Sequence, residues 1–260
     1  VSTRIAPLRL EAFDQLPKHA RRCVFWEVDP STMRGGDHLA DPEFEKEAWL
    51  SMVMLEWGSC GQLALRSRSR RPGRPTGDGV DRMDRDAEND THDEHCFGYA
   101  FYAPPAVVPR ARLFPTGPVS ADAVLLTAVG VEEGPDHDAT PRDLLAAVVG
   151  DLVRRGVRAL EAFGRTAEVG ELSDPNRVPA GLTRVMQTLG DCSAGRCVIA
   201  ADVLEEVGFE VVTPHRYFPR LRLELEQGLG WKADVEAALE RLFAEVRIEA
   251  PVGAGVGRVI

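Results

Sequence analysis

Apolar residues recur along the chain with two periods, and the order of those periods sets the fold class. Residues 4–10 alternate as a first strand. Asp41 suits an N-cap and Pro42 a first helical turn, after which Phe44, Ala48, Met52 and Leu55 fall on one helical face up to Gly58. GQLALRS and CFGYAFYA are the two arms of a hairpin, followed by a stiff loop carrying Pro104, Pro105, Pro109, Pro115 and Pro118. AVLLTAVGV, residues 123–131, is continuously apolar, as a central strand covered on both faces should be. Thr140 and Pro141 then open a helix whose stripe is Leu144, Leu145, Val148, Val149 and Leu152, closed by Gly156. VRALEAFG is the next strand. A helix is predicted from Cys197 through Ala200, Val203, Leu204 and Val207 to Gly208, and FEVVTPHRYFPRLRLELE supplies two closing strands. Val235, Leu239, Leu242, Phe243 and Val246 mark a last amphipathic helix. Hairpins early and strand–helix alternation later predict an α/β (α+β) fold with a mixed central sheet.

One segment breaks the pattern. Residues 66–95 carry a basic block from Arg66 to Arg74, then an acidic block from Asp78 to Glu94, with almost nothing to bury, so a disordered insertion between the hairpin arms is predicted. The expected organisation is a domain over 1–230, an amphipathic helix over 231–248 and a flexible tail over 249–260. A net charge of −10 excludes a general nucleic-acid binder. No apolar run is long enough for a membrane span and the first residues lack a secretory pattern, which leaves a cytoplasmic protein as the expectation. Five scattered cysteines read as reduced thiols rather than a disulfide frame.

Three stretches resemble the GNAT acetyltransferases: AVLLTAVGV followed by TPRDLLAAVVGDLVRRGV, then ADVLEEVGFEVV, and YAFYAPPAVVPRA with FPTGPVSADAVLL, the last similar to an actinobacterial branch. The resemblance implies a GNAT-like mixed sheet and transfer of an acetyl group from acetyl-coenzyme A, as co-substrate, to an amine on a small molecule or protein. It places the pantetheine arm along the backbone of Val129, Gly130 and Val131. It places the pyrophosphate on a loop and helix start that include Ala139, Thr140 and Arg142. That loop departs from the family pattern. Pro141 has no N–H to offer, Ala139 replaces a glycine, and Asp136, Asp138 and Asp143 bring negative charge, so weak binding of acetyl-coenzyme A is expected. The position of the family's tyrosine acid is Leu204. The alternative reading is therefore a catalytically lapsed GNAT fold serving as a binding or regulatory module.

Catalytic candidates are Glu132 and Glu133, just after the central strand, as bases, and Cys197, whose thiol at a helix N-terminus would be acidified. His215 and Tyr217 lie between the closing strands. His92, His95 and Cys96 have no fourth ligand at a zinc spacing, and Cys192 with Cys197 (C-x4-C) lacks a second pair, so no metal is expected. GAGVGR near the end lacks the strand and helix that a phosphate loop needs. A second copy of the chain is one partner that the last helix could pack on.

Overall fold

The computed structural model describes residues 3–30, 40–67, 94–132 and 140–225. The predicted last helix and tail lie outside them. Eight strands form the sheet: β1 (Thr3–Pro7), β2 (Gly61–Ser67), β3 (Glu94–Ala103), β4 (Ala123–Val131), β5 (Ala159–Arg165), β6 (Ile199–Ala200), β7 (Glu210–Thr213) and β8 (Arg220–Glu224). Their order is β1-β2-β3-β4-β5-β8-β7, with the short β6 paired on β5. β4 and β5 run parallel, as do β5 and β6, and the other pairs are antiparallel, giving the mixed sheet expected.

Among the described residues six α-helical segments accompany it: α1 (Lys18–Arg22), α2 (Pro42–Trp57), α3 (Thr140–Arg154), α4 (Thr183–Met186), α5 (Ala194–Cys197) and α6 (Ala201–Glu206). On one sheet face Leu144, Val148 and Leu152 of α3 and Leu204 of α6 pack on Ala100, Tyr102, Leu126 and Leu160. On the other, Trp26, Trp49, Leu50 and Val53 cover Leu63, Phe101, Leu125 and Phe163. Two cores thus sandwich one sheet, which is why β4 is apolar on both faces. Gly156 (φ +72°) and Gly208 (φ +98°) end α3 and α6 in the left-handed conformation that favours glycine.

Three expectations change. The strands reach Ser67 and resume at Glu94, so Arg66 and His95 pair within the sheet and the insertion narrows to 68–93, outside the described residues. Asp41 caps α2 as expected, accepting from the Glu43 and Phe44 amides at 3.1 Å. The helix, however, buries Lys46, Trp49, Leu50 and Val53, while Phe44 and Leu55 are 65% and 86% exposed. The buried stripe contains a lysine, and Lys46 is admitted because its ammonium finds Glu27. Finally, α6 begins at Ala201. Cys197 instead closes the one-turn α5 and does not open α6.

Candidate functional site

The site follows from one irregularity in the sheet. Parallel pairing between β4 and β5 covers only Ala123–Leu125 against Ala159–Glu161. Two residues on, the β3–β4 register shifts at Phe101/Tyr102 and leaves Thr127 as an extra residue, its hydroxyl donating to Phe101 O at 3.1 Å. A bulge of this kind bends and twists its strand, and beyond it β4 no longer pairs with β5. β5 meets β6 instead, at Gly164 and Arg165. The two strands form a wedge, closed at Ala123 and open at Val131.

Backbone polarity at the open end can be counted. Glu132 N–H donates to Phe97 O at 2.7 Å. Stepping back by twos along an antiparallel ladder, Gly130 and Ala128 also turn their backbone groups to β3. Val129 and Val131 therefore turn theirs to the opposite edge, where no described strand pairs with β4. A cavity of about 270 Å³ opens on this edge, lined by Ala128, Val129 and Gly130 on one side and Cys197, Val198 and Ile199 on the other.

Tyr99 forms part of the wall. An added Cβ at Gly130 would lie 2.6 Å from the Tyr99 Cζ and Oη, so only glycine lets the ring lie across β4. Burial pushes the Tyr99 phenol well above its ordinary pKa, keeping it protonated. Opposite stands a buried ion pair. Lys46 donates to Glu27 Oε1, with side chains 3% and 2% exposed, and Glu27 Oε2 accepts from Trp26 N–H at 3.1 Å. The Lys46 ammonium also lies 4.6 Å from the Phe101 ring centroid. Trp26 anchors this corner by stacking on Phe114, centroids 5.0 Å apart, and by donating from Nε1 to Cys197 O at 3.3 Å.

A thiol cluster fills the remaining wall. Cys23 Sγ is 3.5 Å from Cys197 Sγ, and the nearest donor atoms of His19, Cys23 and Cys197 all lie within 4.8 Å of one another. Cys192 stands beside this group, its thiol 4.0 Å from Arg22 O, and hydrogen bonding with Cys197 and then Cys23 drives its pKa down. The same contacts push Cys23 up and raise Cys197 to about 11. Burial lowers His19, so its imidazole is neutral near pH 7.

At the closed end, Glu161 is fully buried on β5. It accepts from Ser120 N–H at 3.2 Å, from Arg220 at 2.5 Å and from Arg222 at 3.1 Å, while Arg222 also grips Asp122 at 3.0 Å. Burial alone would raise the Glu161 carboxyl; the hydrogen bonds from Ser120, Arg220 and Arg222 outweigh it and hold its pKa down.

The residues singled out from sequence scatter around this frame. Val129, Gly130 and Val131 sit on the open edge. Glu132 lies at the rim, half exposed, paired with His95 at 3.3 Å. Thr140 begins α3 and Arg142 is exposed on its first turn; Glu133 and Ala139 lie outside the described residues. His215 accepts at Nδ1 from the Tyr217 and Phe218 amides at 3.1 and 3.0 Å, which makes it a turn-former. Glu27, Lys46, Tyr99 and His19 were not singled out. Lys46 on the core face of α2 was the available signal, since a lysine there needs a buried partner.

No protein-family model matches the chain, and no curated protein matches it in sequence. Solved structures similar to it include an acetyltransferase of the GNAT family from Staphylococcus aureus Mu50, with TM-score 0.43, 8% identity and coverage of 86% of this chain and 99% of that one. A PaiA N-acetyltransferase from Thermoplasma acidophilum in complex with coenzyme A has TM-score 0.41 and 11% identity over 86% and 99% of the two chains. A putative acetyltransferase of the GNAT family from Desulfovibrio desulfuricans has TM-score 0.38 and 16% identity over 86% and 99%.

Proposed function

We propose that the wedge binds the pantetheine arm of acetyl-coenzyme A and that the protein transfers the acetyl group to an amine. The observation that carries this reading is the unpaired edge of β4 at Val129 and Val131, opening on a cavity that holds a buried carboxylate. An amide-bearing arm laid along that edge would complete the ladder that β5 abandons. The sequence resemblance to GNAT enzymes in the strand–helix core points the same way.

In this reading Glu27 accepts a proton from the acceptor's ammonium, directly or through water, which frees the lone pair for attack on the thioester carbonyl carbon. The backbone groups of β4 polarise that carbonyl. As the carbon–sulfur bond breaks, Tyr99, which lines the cavity, donates its phenolic proton to the departing thiolate and is reprotonated from solvent. Lys46 holds the Glu27 carboxylate in place through their ion pair; it is a positioning residue. Neither Glu132 nor Cys197 has a part in these steps.

A lapsed module is the second reading, favoured by Pro141, which removes an amide from the first turn of α3 where the pyrophosphate would sit. Chromatographic detection of coenzyme A release, with a panel of amines, separates the two. Turnover that is lost in both Glu27→Gln and Tyr99→Phe supports the enzyme. Acetyl-coenzyme A binding without turnover on any amine supports the module.

A further inference from the structure

The thiol cluster is more than the packing of small apolar side chains. Cysteines buried only for their volume have no reason to converge on one point with an imidazole, and here three potential ligands, His19, Cys23 and Cys197, from two distant parts of the chain do so. His19 and Cys23 are spaced i, i+4 across α1, and the Cys23 amide donates to His19 O at 2.8 Å, fixing the pair on one helical turn. Cys192 and Cys197 bracket α5. Before it, Leu189 and Cys192 exchange backbone hydrogen bonds of 2.9 Å each way around Gly190 (φ +55°), a tight knuckle that leads into α5. Cys197 N–H then donates to Ser193 O at 2.9 Å, which turns its thiol back toward the same point.

We propose that His19, Cys23 and Cys197 bind a zinc ion between α1 and the α5 turn, with a water molecule as the fourth ligand. The spacing fits the chemistry. Zinc–sulfur bonds of about 2.3 Å in a tetrahedron place the sulfurs about 3.8 Å apart, and Cys23 and Cys197 stand at 3.5 Å. A disulfide needs the sulfurs at about 2.05 Å. Thiolates and imidazole select zinc over calcium or magnesium. On binding, the two thiols give up their protons to solvent, two sulfur–zinc bonds form, and the imidazole supplies the third ligand and water the fourth; nothing is oxidised. The ion would hold this part of the pocket wall together, and no step of the chemistry proposed above passes through it. The inference stands whether or not the chain transfers acetyl groups.

The test uses the full chain, purified without a histidine tag and with no chelator. Plasma mass spectrometry should find zinc in a one-to-one ratio with the chain. Replacement by cobalt should give the intense thiolate-to-cobalt charge-transfer band and the visible bands of tetrahedral coordination. Cys23→Ser and Cys197→Ser should each lose the metal, while Cys60→Ser and Cys96→Ser, at thiols buried elsewhere, should retain it. The cobalt spectrum of the unmodified chain stands even if a variant fails to fold. A chain that takes up neither metal, with all five thiols reduced, would overturn the proposal. So would a Cys23–Cys197 disulfide found by mass spectrometry under the same conditions, which would make the cluster a redox pair.

Discussion

At its closed end the wedge between β4 and β5 is held by charge: one buried carboxylate, Glu161, takes two arginines from β8 and ties them to the start of β4. At its open end the same two strands have let go of each other, and their place is taken by a cavity, an unpaired backbone edge and a second buried carboxylate, Glu27. Each end buries a carboxylate with a cationic partner, but the surroundings differ. Glu161 is fully buried and has its hydrogen bonds supplied by Ser120, Arg220 and Arg222. Glu27 lines a space in which a substrate can stand. A buried ion pair is weak evidence for stability in itself; what lies beside it separates a clamp from a site.

Breaking the closed end should have the largest effect on folding. Glu161→Ala leaves Arg220 and Arg222 without their shared carboxylate, and a loss of about 3–5 kcal/mol in denaturant unfolding is expected. A loss below about 1 kcal/mol would mean that the clamp does not hold the strands.

The corresponding change at the open end should act on turnover. Glu27→Gln is expected to lower kcat by about 10²–10⁴-fold with KM for acetyl-coenzyme A little changed. Because it strands Lys46, the paired variant Glu27→Leu/Lys46→Met should recover stability and remain inactive. Recovery of activity in that double variant would remove Glu27 from the chemistry.

Gly130→Ala tests the edge itself. The new methyl meets the Tyr99 ring at 2.6 Å, so a cost of about 1–3 kcal/mol and weaker acetyl-coenzyme A binding are expected. Adding Tyr99→Ala should relieve the strain without restoring turnover, which calorimetry and a rate assay on the same samples would distinguish.

The pH dependence of stability separates the ends further. Glu161 has a folded pKa below its ordinary 4.5, so its contribution is present above 4.5 and is lost as pH falls through the depressed folded value. The gap in unfolding free energy between the unmodified chain and Glu161→Gln should therefore narrow below pH 4.5. A gap constant with pH would show that the carboxylate's charge is not what matters.

The smallest effect is expected where the apolar pattern misled. Leu55, 86% exposed on α2, should tolerate Glu within about 0.5 kcal/mol. That position shows which parts of the molecule can be read from the chain. β4, the α3 stripe, the Asp41 cap and the glycines closing α3 and α6 are local: each signal lies within a few residues of its effect. The α2 face was hidden because its buried stripe contains Lys46, whose partner Glu27 lies 19 residues away. The thiol cluster was hidden more deeply. Cys23 and Cys197 are 174 residues apart, and neither the pair spaced i, i+4 nor the C-x4-C pair is a zinc signature alone. The backbone edge at Val129 and Val131 fell between the two cases, since the strand was visible but the bulge at Thr127 that frees it was not.

The central claim is that β4 offers its open edge to the pantetheine arm, and calorimetric titration of acetyl-coenzyme A into the full chain tests it most directly. With Pro141 and aspartates at the phosphate end, saturable but weak one-site binding is expected. S-acetylpantetheine, which lacks the nucleotide, should retain most of that affinity, Arg142→Ala should change it little, and Gly130→Ala should reduce it. Absence of binding by both ligands, or binding that survives Gly130→Ala and is lost in Arg142→Ala, would contradict the account.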